Sequence, residues 1–259
     1  MTVAFVFILG LFIGSFLNVV ILRLRRQESF IKGSSKCLFC QHRLYPKDLI
    51  PLFSYLFLKG RCRYCQKRFS HQYPLVEFFT GFSFVLIFQK IVPSADWNLI
   101  SSLQVLHLLD WWVIVSFLVI IFVYDFKYYL ILDRVVWPII ILSFLVNLFL
   151  GFSIFNLVFA AVIGGGFFFL QFIVSKGRWI GGGDIRLGLL MGVILGWPHV
   201  LTALFISYVL GSAVGVSLLW SKRKDWGDKI PFGTFLTIGT FMTMLWGPAL
   251  VKWYLSLFY

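Results

Sequence analysis

Val113-Ile114-Val115-Ser116-Phe117-Leu118-Val119-Ile120-Ile121-Phe122-Val123-Tyr124-Asp125 is an almost unbroken apolar run that ends on a carboxylate. Both halves of that description are informative. A helix crossing the hydrocarbon of a bilayer needs about 20 mainly apolar residues, and this run is one of several such stretches separated by short polar interruptions. The 259-residue chain is 60% hydrophobic, 20% aromatic and 13% charged, more apolar than a soluble domain of its length hides in one core. The expected fold is an all-α polytopic membrane protein of about eight transmembrane helices with a small cytoplasmic zinc-binding loop domain. The spans are predicted over 3–22, 75–92, 108–124, 135–151, 154–174, 184–196, 199–220 and 232–251. The last long apolar run is divided at Gly196-Trp197-Pro198 because Gly and Pro together punctuate helices, which leaves a short first arm. No internal repeat or low-complexity tract is evident.

Charge orients these spans. Except for Lys90 and Lys252, every Lys and Arg falls in one of four segments, 23–68, 125–134, 175–186 and 221–230. Short basic loops stay on the cytoplasmic side, and threading eight spans through them puts all four on that face with both termini outside. The first span lacks a basic segment before it and is followed by Arg23, Arg25 and Arg26, so it reads as a retained anchor. A net charge of +13 invites a nucleic-acid reading. The basic residues flank membrane spans, however, and anionic lipid headgroups are the better partner.

All four cysteines lie in the longest basic loop, as Cys37-Leu38-Phe39-Cys40 and Cys62-Arg63-Tyr64-Cys65. Two CxxC pairs offer the four thiolates of a tetrahedral zinc shell, and the two-residue spacer lets one tight turn aim both sulfurs at one metal. Two disulfides or a redox pair are the competing readings. Disulfides do not persist in the reducing cytoplasm, and a redox CxxC needs a βαβ scaffold that is absent. Such a zinc is structural, folding a loop too poor in apolar residues to pack alone. Four cysteines suffice, so His42 and His71 are left out, and His107 and His199 read as interfacial residues at the outer face.

Charged groups at membrane depth are functional candidates. Of the ten acids, Glu28 and Asp48 belong to the cysteine loop, Asp96 and Asp110 to the outer side, and Asp225 and Asp228 to the last basic loop. Glu77, Asp125, Asp133 and Asp184 remain. Asp125 closes its span and Asp184 opens another, both at the cytoplasmic end. Gly181-Gly182-Gly183 before Asp184 break the helix and keep side chains away from the carboxylate. Two such carboxylates side by side cannot both keep their charge, so the pair holds one proton. The charged member can then deprotonate a water while the protonated one polarises a carbonyl. Helix capping is the alternative for either aspartate alone, and for Asp133, just before the span at Val135, it is the preferred one.

With these residues in hand the chain resembles the bacterial prepilin peptidases, the type 4 leader peptidases among the GxGD intramembrane aspartyl proteases. The resemblance runs from Gly14-Ser15-Phe16-Leu17-Asn18-Val19-Val20 through both CxxC pairs and Tyr73-Pro74-Leu75-Val76-Glu77. It continues over Asp125-Phe126-Lys127, Leu132-Asp133, Gly181-Gly182-Gly183-Asp184 and Pro231-Phe232-Gly233. Departures are small: Leu38-Phe39 stand where the family often has Pro, and Leu132 where it usually has Pro before Asp133. The resemblance implies that Asp125 and Asp184 are the catalytic pair, supported by Gly181 and Gly183. It also implies that prepilins or pseudopilins with a basic leader ending in Gly are cut at the cytoplasmic face of the bacterial inner membrane. Members with this cysteine loop also methylate the new N-terminal amine with S-adenosylmethionine. Glu77 is a candidate for that activity, with first-turn helix capping as its alternative. The expected division is 1–22 first span, 23–74 zinc-binding loop and 75–259 peptidase. A proton or cation relay would call for inverted repeats and midplane acids, which are not visible. An assembly scaffold would leave the carboxylates replaceable.

Overall fold

The computed structural model describes residues 2–29, 33–93, 100–222, 225 and 228–257. Asp96, and Lys32, Arg223 and Lys224 of the basic loops, lie outside the described residues. The long helices are α1 (Thr2–Arg26), α3 (Gln72–Ile91), α4 (Ser102–Tyr128), α5 (Asp133–Phe149), α6 (Ile154–Ser175), α7 (Gly182–Leu195), α8 (His199–Trp220) and α9 (Phe232–Leu255). A short helix, α2 (Phe53–Phe57), lies in the cysteine loop. Each predicted span falls on one long helix, and there is no β-strand among the described residues. Six of the helices are long and apolar enough to cross a membrane; α5 and α7, at 17 and 14 residues, are not. At 1.5 Å per residue α7 measures roughly 21 Å, well short of the roughly 30 Å hydrocarbon layer.

The breaks have local causes. Lys176 caps α6 in the left-handed region with Gly177 behind it, φ 52° and 72°, the arrangement that satisfies the last carbonyls of a helix. Gly196 ends α7 at φ 67°. Asn156 holds the turn that follows, its Oδ1 accepting the Trp197 N–H at 3.0 Å and its Nδ2 donating to the Trp197 carbonyl at 3.2 Å.

The chain forms two units, Met1–Ile120 and Ile121–Tyr259. In the first, α1 and α3 pack backbone to backbone: a Cβ on Gly10 would sit 2.6 Å from Gly81 Cα, and one on Gly14 2.7 Å from Glu77 Cα. Small residues four apart let apolar helices approach this closely. Trp112 of α4 stacks on Phe84 and donates its indole N–H to the Phe84 carbonyl at 3.2 Å. In the second unit α6 and α7 meet through glycine, where a Cβ on Gly188 would lie 2.4 Å from the Gly164 carbonyl oxygen. Asn147 of α5 donates to the Val193 carbonyl of α7 at 2.8 Å. α7 also packs on α9, and that places the N-termini of both near the end of α4.

Candidate active site and metal centre

Asp125 lies in the last turn of α4 and Asp184 in the first turn of α7; both are buried. They are close enough for their charges to interact. α9 supplies the setting for Asp125. Its first turn carries Gly233 and Thr234, whose backbone N–H groups have no partner within the helix. Asp125 accepts from both, with Thr234 N at 2.8 Å from Oδ2, so its carboxylate stands where a helix N-terminus favours an anion. The Thr234 hydroxyl turns back to the Pro231 carbonyl at 2.5 Å. Asp184 accepts the Gly181 N–H at 3.1 Å on Oδ2. It does therefore help cap α7.

Ile131, on the segment between α4 and α5, ties these parts together. A Cβ on Gly183 would lie 2.8 Å from Ile131 Cβ, and one on Gly233 3.0 Å from Ile131 Cδ1 and 2.9 Å from Asp125 Oδ2. Gly183 and Gly233 are thus demanded by close approach. Gly181 is not: its Cβ would meet only ordinary contact, 3.7 Å from Asp184 Oδ2. We expect Gly233→Ala to push Asp125 aside by a few tenths of an ångström or more. Because a displacement of about 1 Å can cost 10²-fold in rate, activity assays on this variant should read a loss of roughly 10–100-fold with the chain still folded.

The cap expected of Asp133 is corrected, and the capping alternative for Glu77 falls away. Asp133 is the first residue of α5 rather than its cap, a position held by Leu132. It forms an ion pair with Arg186 of α7, whose Nε also donates to the Gly182 carbonyl at 3.2 Å. Glu77 is not in the first turn of α3, which begins at Gln72. It is buried deeper along the helix, against α1. Its Oε2 accepts the Leu52 N–H at 2.8 Å, and Ser15 bonds to it as well. Leu52 has φ 60°, so the carboxylate secures a bend that a side-chain-bearing residue enters only at a cost.

The four cysteine sulfurs all lie within 4.8 Å of one another, and none is in a disulfide. Cys37 Sγ and Cys65 Sγ are 3.8 Å apart, which equals the edge of a tetrahedron whose corners stand about 2.3 Å from a central zinc. The donor set therefore fits a tetrahedral metal. The two knuckles share one geometry. Cys37 N–H donates to the His42 carbonyl and Cys62 N–H to that of Lys67, both at 2.9 Å. Gln41 and Gln66, each following the second cysteine of its pair, take φ near 58° and 57°. Burial would raise the Cys37 thiol, but the backbone N–H groups of Cys40 and Phe39 bring it down to about 7, toward the thiolate that metals bind. Between the knuckles, Arg63 pairs with Asp48 at 2.7 Å. Against the burial that would raise it, that guanidinium, the Tyr45 N–H and the Tyr64 hydroxyl hold Asp48 below the usual carboxylate range. His42 stacks on Tyr64 and His71 bonds the Tyr55 hydroxyl at 3.1 Å, so both have work other than ligation.

Residues 8–91 match the Bacterial Peptidase A24 N-terminal domain, and residues 112–216 match the Type IV leader peptidase family. The chain is similar to the prepilin leader peptidase/N-methyltransferase of Aeromonas hydrophila, 30% identical over 98% of this chain and 93% of the relative. It is also similar to those of Bacillus subtilis (strain 168), 31% identical over 97% of each, and of Pseudomonas putida, 31% identical over 93% and 89%. No solved structure matches. The cysteines and Glu77 fall in the first matched stretch and both aspartates in the second, while the Gly233 and Thr234 donors lie beyond it.

Proposed function

Because this chain belongs to the type IV leader peptidase family, we propose that it is a multi-pass membrane endopeptidase that removes the basic leader of type IV prepilins or pseudopilins and then methylates the new N-terminus. The observation that carries the reading is a pair of buried carboxylates, Asp125 and Asp184, within electrostatic reach of each other and each accepting a backbone N–H at the N-terminus of a helix. Asp125, with two backbone donors, is the better holder of the negative charge, since hydrogen bonds to an ionised acceptor are the stronger kind. Asp184, with one, carries the shared proton. In the cleavage step Asp125 takes a proton from the attacking water while Asp184 donates to the scissile carbonyl oxygen. The proton on Asp125 then passes to the departing amine while Asp184 takes back a hydroxyl proton of the intermediate as the carbonyl re-forms, which restores the pair. The shortness of α7 supports this chemistry, because a helix that does not reach through the hydrocarbon leaves its first turn open to water.

The basic loops assign the aspartates and the cysteine loop to the cytoplasmic face of the bacterial inner membrane, in contact with anionic lipid headgroups and no nucleic acid. In this reading 1–22 anchors the chain, 23–74 is a zinc-binding domain and 75–259 houses the peptidase. The metal is zinc in a structural role, since four thiolates close its shell and leave no open position. S-adenosylmethionine supplies the methyl group, and Glu77 belongs to that second activity.

The test is to reconstitute the zinc-loaded chain with a prepilin and S-adenosylmethionine and to weigh the pilin product. Loss of the leader after its terminal glycine, with one methyl group gained, is the expected result. A prepilin of unchanged mass would end the proposal.

A further inference from the structure

The short helix α2 presents an apolar surface on the cysteine loop. Phe53, Leu56 and Phe57 are exposed, Leu56 at 69%, and so is Ile50 just before them. At 3.6 residues per turn the three helical side chains fall within an arc of about 100°, with Tyr55 nearly opposite. Tyr55 turns inward. A Cβ on Gly60 would lie 2.8 Å from its ring, and its hydroxyl bonds His71 Nδ1 at 3.1 Å, one residue before α3. The helix therefore has an inner face fixed to the rest of the protein and an outer face of large apolar side chains. Contiguous apolar surface of this kind marks a place of contact.

One hydrogen bond fixes the level at which α2 starts. Leu52, the residue that caps it, donates its N–H to Glu77 Oε2 at 2.8 Å. Glu77 stands five residues into α3, roughly 7.5 Å along the helix at 1.5 Å per residue. α3 is long and apolar enough to cross a membrane, and its Leu75, Phe78 and Phe79 are exposed. Large apolar side chains turned outward from such a helix face lipid. α2 thus begins level with side chains that stand in the bilayer, not in the water above it. Charge completes the match. From residue 33 to 71 the loop holds eight Lys and Arg and a single acid, Asp48, which pairs with Arg63. Lys47, Lys59 and Arg61 flank α2 and are exposed.

We propose that α2 docks the cysteine loop on the membrane, with Phe53, Leu56 and Phe57 entering the interface of an anionic leaflet. An amphipathic segment lying in the membrane plane sinks its apolar face about 5–10 Å into the boundary between headgroups and acyl chains, the depth at which Glu77 holds the start of α2. The flanking cations can keep their heads among the headgroups while the apolar face sinks, and anionic lipid attracts them there. Docking of this kind requires only that the long helices cross a bilayer, and it stands whether or not the chain cleaves or methylates a prepilin. The loop then lies along the bilayer instead of standing off it.

The experiment puts a photoreactive residue on the outer face, Phe57→p-benzoylphenylalanine, in the zinc-loaded full chain in nanodiscs of phosphatidylethanolamine and phosphatidylglycerol, with no prepilin present. Irradiation should join the probe to phospholipid, read by mass spectrometry as the gain of one lipid mass. Adding Leu56→Asp to the same chain should lower that yield about tenfold, because a charge resists entry into the acyl boundary. Exchanging phosphatidylglycerol for phosphatidylcholine should lower it several-fold. Leu56 is exposed, so its replacement removes no internal contact, and zinc content equal to that of wild type reports a folded loop. If that check fails, Phe53→Ser repeats the measurement. A probe that joins no lipid, or joins it as well in the folded variants or without the anionic lipid, would overturn the proposal. So would a probe that ignores lipid and joins an added prepilin, which would give the surface to the substrate. Leader cleavage by the same preparation reports separately on the proposed function.

Discussion

Asp125→Asn and Asp184→Asn each reduce leader cleavage by about 10³-fold or more, and the double variant is hardly slower than either alone. The first half follows from chemistry. Asn has the shape of Asp and can still accept the Thr234 N–H that Asp125 accepts at 2.8 Å, or the Gly181 N–H that Asp184 accepts at 3.1 Å. The helix ends remain satisfied, so insertion and folding are preserved. What Asn cannot do is take up or hold the proton, and a positioned acid or base contributes about 10² to 10⁴ in rate. The second half follows from partnership. In the proposed mechanism the carboxylates share one proton and act on one water, so removing either disables both and the losses do not add. Initial rates of leader removal, followed by mass spectrometry at saturating prepilin, measure the effect. Cleavage within tenfold of wild type in either single variant would dismiss the pair as the catalytic machinery.

The other large effect concerns the cysteine loop. Replacing Cys62 and Cys65 together by Ser should take the zinc content from about one per chain to none. It should also remove the amide-exchange protection of residues 33–71. The loop has little else to hold it. Of its large apolar side chains Phe39, Ile50, Phe53, Leu56 and Phe57 are exposed, Phe57 at 82%, and Leu38, Leu44, Leu49, Leu52, Leu58 and Phe69 are only half-buried, whereas Cys37 and Cys62 are fully buried. The metal site is in effect the core. The Asp48–Arg63 pair survives the substitution, but an ion pair at a surface contributes only about 0–1 kcal/mol. Zinc binding to small thiolate sites is worth about 10–16 kcal/mol and is itself the folding free energy. Metal analysis with hydrogen exchange checks this, and full protection in zinc-free protein would contradict it.

Eight helices could be placed from the chain alone because lipid-facing helices must be apolar for most of their length. The structure leaves Phe155, Phe205 and Val174 among the many large apolar side chains turned outward. The knuckles were legible because a metal shell fixes both residue type and spacing. Illegible were the partners that use backbone rather than side chain. The donors to Asp125 are N–H groups that any residue but proline carries, so Pro231-Phe232-Gly233 stood out without revealing what it served. Close approach had the same opacity: three consecutive glycines look alike in sequence, and only the contact with Ile131 singles out Gly183. The cap expected of Asp133 misled because that residue finds its partner across the fold, in Arg186, as Glu77 does in Leu52, where no local pattern points.

The bond from Thr234 to Asp125 joins residues 109 apart in the chain. During synthesis Asp125 leaves the ribosome long before its donors exist. At 5–20 residues per second the interval is roughly 5–20 s. Until α9 has entered the bilayer, the first carboxylate lacks the groups that hold its charge and shape. A chain made from its N-terminus thus carries its own delay: the carboxylate meets its donors only once α9 has been made and inserted.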